Sequence, residues 1–84
     1  MLTSAPSSVA RTFELDIRDI AHSTRHSVVF ARLDEMGTED RMIVLSEHEP
    51  TALRTQIDAW WPGEFDWSCE DTGPLGWSAQ ITRR

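Results

Sequence analysis

Residues 12–17, Thr-Phe-Glu-Leu-Asp-Ile, alternate polar and apolar, the period-two signature of a half-buried strand with Phe13, Leu15 and Ile17 on one face. Val29, Phe30, Leu33 and Met36 then recur at helical spacing. Ser23 or Thr24 is placed to cap that helix, and Gly37 to end it in a left-handed conformation, so the pattern predicts a helix over about 24–36. Met42-Ile43-Val44-Leu45 is an unbroken apolar run, which suits a strand in the middle of a sheet. Pro50 favours a helix start, Leu53, Ile57, Trp60 and Trp61 continue at helical spacing, and Pro62-Gly63 stops it. Phe65, Trp67 and Cys69 alternate with polar residues, as do Trp77, Ala79 and Ile81. With the turn Asp71-Thr72-Gly73-Pro74 between them they predict a hairpin, across which Trp67 and Trp77 are expected to pack.

The order is βαβαββ. Strands one, three and four each have one apolar and one polar face, and two helices with single apolar stripes can cover only one side. The expected fold is α+β: a two-layer α/β sandwich with a four-stranded mixed sheet and two helices on one face. Strands one and two, joined by a helix, are expected to be parallel with a right-handed crossover. Residues 1–11 read as a flexible arm of Ser, Ala and Pro, and 12–84 as one domain, since 84 residues leave no room for a second core.

Composition narrows the chemistry. The formal charge is −6, and the eight basic residues are all Arg spread from end to end, which argues against a nucleic-acid partner. No apolar run approaches the roughly 20 residues of a membrane helix, and Met1 to Arg11 lacks the apolar stretch of a secretory signal, so the cytoplasm is expected. Without Lys there is no Schiff base and no phosphate-binding loop ending in Gly-Lys; without Tyr there is no phenolic acid. One cysteine, Cys69, excludes an internal disulfide and a multi-cysteine metal site.

What remains gathers at one edge. In a βαβ unit the segments leaving both parallel strands lie at the same end of the sheet, so 18–26 and 46–50 should meet there. That brings together Arg18, His22, Arg25, His26, Glu47, His48 and Glu49, and both helix N-termini. His26 and His48, with Glu47 or Glu49, make a candidate site for Zn, Cu or Fe; hydrogen-bonded structural histidines are the competing account. His22, exposed in its loop, is set aside as a ligand. Arg18 and Arg25 are candidates for a small anion, or for ion pairs with Asp16 or Glu47. One of the consecutive Trp60 and Trp61 must sit near the surface, as a partner contact or as a cover for the core. No nucleophile-elbow signature accompanies the Ser, His and Asp residues.

The ordered set Leu15-Asp16-Ile17-Arg18, Arg25-His26, Ser46-Glu47-His48-Glu49-Pro50, Phe65-x-Trp67, Gly73-Pro74-x-x-Trp77 and Ile81-Thr82-Arg83 resembles the bacterial domain-of-unknown-function family 2249 over about residues 13–84. That family is similar to the TusA/SirA sulfur carriers, which implies their two-layer sandwich. Its members stand alone or accompany hemerythrin-like and other redox- or metal-associated domains. In the sulfur carriers a Cys-Pro pair opens helix one and the Cys carries persulfide. Counted from Leu15-Asp16 these positions hold His22 and Ser23, so persulfide carriage is disfavoured. Within its nearer family the chain departs at Asp19, where Gly is usual, and at His22-Ser23, where Pro is common. The resulting expectation is a small non-enzymatic accessory or binding domain, a protein-interaction or carrier-like module with a redox or metalloprotein partner and no obligatory cofactor. The alternative is a transition-metal domain built on His26 and His48.

Overall fold

The computed structural model describes residues 10–84. Its strands are β1 (Thr12–Asp16), β2 (Arg41–Ser46), β3 (Phe65–Asp71) and β4 (Trp77–Arg83), and its helices α1 (Arg25–Asp34) and α2 (Thr51–Trp60), with single 3-10 turns at Ile17–Asp19, His22–Thr24 and Gly73–Leu75. The order across the sheet is β1-β2-β4-β3. β1 runs parallel to β2, and β4 is antiparallel to both β2 and β3, so the sheet is mixed. The apolar run of β2 does lie centrally.

Register explains the layering. Phe13 pairs with Met42 and Leu15 with Val44. Met42 in turn pairs with Ile81, and Val44 with Ala79. This inward row meets Val29 and Leu33 of α1 and Leu53 and Ile57 of α2 in one core that also takes Ile17, Met36 and Phe65. Both helices therefore cover the same face. The opposite face carries Glu14, Asp66, Ser68, Glu70, Ser78 and Gln80, with Ile43 and Leu45 half-buried at its centre.

Four local expectations change. Thr24 sits at the start of α1 without capping it; its hydroxyl donates back to the Ala21 carbonyl (3.1 Å). Gly37 does not take the left-handed conformation, which falls on Glu39 (φ 70°), and α1 ends at Asp34. The exit is instead organised by the buried Asp40 carboxylate, which accepts from the Gly37 N–H (2.9 Å), the Arg11 N–H (2.8 Å) and the Arg11 guanidinium (2.9 Å). Of the expected arm, 1–9 lie outside the described residues, and Arg11 is anchored by this carboxylate. Finally, Trp67 pairs with Ile81 and Trp77 with Asp71, so the two indoles do not face one another across the hairpin. Trp67 packs against the core, and Trp77 lies opposite Ser46 at the end of β2.

Gly76 joins this hairpin to the loop that leaves β2. It is buried, with φ 119° and ψ −138°, and its backbone lies directly against Ser46 and Glu47. Thr72 ties the turn by donating its N–H (2.8 Å) and hydroxyl (2.7 Å) to the Gly76 carbonyl.

Candidate functional site

Parallel pairing of β1 and β2 puts the segments that follow them side by side. The first contributes Ile17 and His22 and runs into Arg25 and His26 of α1. The second contributes Ser46, His48, Glu49 and Pro50 and runs into α2. All of these, with Ala52 and Leu53, line one shallow pocket of about 190 Å³. Pockets for organic ligands usually run from about 300 to 1,000 Å³. This one suits an ion with its water, or a side chain from a partner.

Arg25 forms one wall. It is buried, 6% exposed, and each of its three guanidinium nitrogens is engaged. It donates two bonds to Glu47 (2.6 and 3.0 Å) and one through Nε to the Ile20 carbonyl (2.8 Å). The ion pair locks α1 to the β2–α2 loop across 22 residues of sequence. Arg25 beside it holds the Glu47 carboxyl at about 2, and Glu47 in return raises the Arg25 pKa. Arg18 makes the same forked contact with Asp16 (2.9 and 2.7 Å), and its guanidinium holds the Asp16 carboxyl at about 2. The two candidate anion-binding arginines are thus both engaged by carboxylates of the chain, the second of the two accounts given above.

The three histidines make different contacts. His26 Nδ1 hydrogen-bonds the Gln56 side-chain oxygen (2.7 Å), and its ring stacks on Phe30 (6.5 Å, 7°), which ties α1 to α2. His48 is instead the neighbour of His22, with ring centroids 6.0 Å apart and planes at 38°. Both of these rings are exposed. Of the expected metal set His26, His48, Glu47 and Glu49, the pocket takes in His26, His48 and Glu49, while Glu47 is committed to Arg25, Nδ1 of His26 bonds Gln56, and His48 faces His22. The 3-10 turn at His22–Thr24 does this by folding the loop back before α1. No sequence signal for that short turn was available beyond Ser23 and Thr24. Among the described residues no group of three or more His, Cys, Asp or Glu is arranged to hold a metal ion.

Two features lie outside this pocket. Cys69 on β3 is half-buried against the core, and burial pushes its thiol up. Trp60, at the end of α2, is 69% exposed, the one large apolar side chain left in solvent among the described residues. It stands edge-on to Phe30 (5.7 Å, 76°) and 6.4 Å from Trp61, while Trp61 packs inward on Phe65 (5.6 Å). The surface partner of the Trp60-Trp61 pair is therefore Trp60.

Among the described residues no helix is long and apolar enough to cross a membrane. No curated protein and no solved structure matches the chain. Residues 14–83 match the family described as Uncharacterized conserved protein (DUF2249), and the chain belongs to that family.

Proposed function

We propose that the chain is a small, non-enzymatic accessory domain of the cytoplasm that works by binding a protein partner through the α1–α2 side of its helical layer. One observation carries this reading: Trp60 stands in solvent on a bed of Phe30 and Trp61. Tryptophan is the residue type most enriched at binding hot spots, where a rigid apolar ring is held ready and loses little entropy on docking. An isolated exposed ring needs no explanation, but an aromatic cluster spanning two helices offers a partner a continuous apolar surface. The chemistry elsewhere supports binding over catalysis. The Asp16 and Glu47 carboxyls, held at about 2, are ionised near neutrality and unsuited to proton donation. Cys69, half-buried with a raised pKa, is a poor nucleophile and a poor substitute for the thiol that a sulfur carrier needs at position 22. The redox or metal-linked setting, and kinship with the sulfur carriers, rest on the family resemblance.

The test uses the untagged chain and Trp60→Ser as paired baits for the proteins of its own cell. A stoichiometric partner that Trp60→Ser binds at least about 30-fold more weakly, the loss of one hot spot of about 2 kcal/mol, supports the reading. Equal retention by a folded Trp60→Ser, or no partner for either bait, removes it.

A further inference from the structure

We propose that His22 and His48 together form a metal site, open on its solvent side, for a late first-row transition ion such as Zn(II) or Cu(II). The inference stands on a different part of the molecule from the aromatic surface and is independent of it.

The geometry is the first argument. A ring nitrogen binds such an ion at about 2.0–2.1 Å, which puts the imidazole centroid about 3.2 Å from the metal. Two imidazoles sharing one ion then have centroids about 5.2 Å apart at a tetrahedral angle and about 6.4 Å apart when opposite. The His22–His48 separation of 6.0 Å falls between these values, at an N–metal–N angle of about 140°, so the rings would close by about 0.8 Å to reach the tetrahedral geometry of Zn(II).

Hydrogen bonding is the second. His26 has Nδ1 bonded to Gln56 (2.7 Å) and its ring stacked on Phe30, so one of its two nitrogens is already engaged. Neither the His22 nor the His48 ring makes a hydrogen bond to another side chain or to the backbone among the described residues, and both are exposed. Their nitrogens are available, and imidazole is a good ligand for Zn and Cu.

Charge and room are the third. Glu49 lines the same pocket beside His48, and the chain is acidic overall, at −6, so a cation is favoured over an anion. The pocket of about 190 Å³ has room for an ion with its water. Two imidazoles leave coordination positions open, to be filled by water or by a donor atom from outside the chain.

The experiment is calorimetric titration of the untagged full chain with ZnCl2 and with CuCl2, alongside His22→Ala, His48→Ala, the double variant and His26→Ala. One ion per chain is expected, with each of the first two substitutions weakening binding by about 10-fold or more, the double variant showing none, and His26→Ala changing it by less than about twofold. Substoichiometric Cu(II) should also broaden the imidazole proton resonances of His22 and His48 before those of His26 in the wild-type chain, a readout that depends on no variant's folding. No saturable binding, binding that survives in the double variant, or equal sensitivity to His26→Ala with equal broadening of His26, would each overturn the assignment.

Discussion

Replacing Gly76 by Ala tests how the β3–β4 hairpin and the site-bearing loop support one another. A methyl group at this position would overlap the Ser46 carbonyl oxygen and stand 3.0 Å from the Glu47 Cα, both backbone atoms that cannot swing aside as a side chain would. Its φ of 119° is also one that a side-chain-bearing residue rarely adopts. Holding a non-glycine residue in such a region costs about 1–3 kcal/mol, and forcing an extra carbon into packed surroundings costs about the same again. The sum, about 2–6 kcal/mol, is a large share of the roughly 5–15 kcal/mol that stabilises a domain. At about 4–8 °C per kcal/mol for a domain of this size, Tm should fall by at least about 8 °C. Gly63→Ala is the matched control, because Gly63 has φ 74° but nothing within 4 Å of the added methyl. It should carry only the backbone cost, roughly 1–2 kcal/mol. Thermal and urea melts followed by near-ultraviolet circular dichroism measure both. Amide spectra of Gly76→Ala should also show the largest shifts at Ser46, Glu47 and His48. If Gly76→Ala is no more destabilising than Gly63→Ala, the close approach of hairpin and loop does not constrain the fold, and the reasoning fails.

Acid should weaken the fold in a defined window: the Asp16, Asp40 and Glu47 carboxyls sit at about 2, below their ordinary 3.8 (Asp) and 4.5 (Glu). Their ionised forms favour the folded state, so their contribution is complete above those ordinary values and is lost as pH falls toward 2. Asp40→Asn, which removes a carboxylate held by the Arg11 and Gly37 N–H groups and the Arg11 guanidinium, should flatten the loss of Tm between pH 4 and 2. Glu47→Gln should lower Tm more than Asp16→Asn, because it strands a guanidinium in the buried Arg25 side chain (8% exposed), whereas Arg18 (34% exposed) can turn to water. Equal losses would show that the Arg25–Glu47 pair is no more than a surface contact. Iodoacetamide should label Cys69 slowly at neutral pH in the folded chain and quickly in urea, and fast labelling of the folded chain would contradict the half-buried thiol.

Much of the architecture was legible along the chain because each element buries one face. The period of two in 12–17 and 65–69, the helical spacing of Val29, Leu33, Leu53 and Ile57, and the unbroken run 42–45 each required a definite position relative to a single core. Topology then followed, since a strand, helix and strand in succession close in only one common way. The meeting of 18–26 with 46–50 was a consequence of that topology, and the common pocket realises it. What the pattern could not resolve were choices among partners that differ by a hydrogen bond or a single turn. Arg25 turns to Glu47 and the Ile20 carbonyl because its side chain is buried on the way into α1. His26 lies one turn ahead of Phe30 and opposite Gln56, so the α1–α2 seam claims it.

Sequence alone determined the elements, their order, the inward faces and the sheet edge where the polar residues converge, because hydrophobic period is a local property that survives any reasonable packing. Tertiary structure decided the pairings: His48 with His22, Arg25 with Glu47, Asp40 with Arg11, and which of two consecutive tryptophans stands in solvent. Each of these depends on the angle of a short turn and on the register of strands far apart in the chain, quantities that local pattern does not encode.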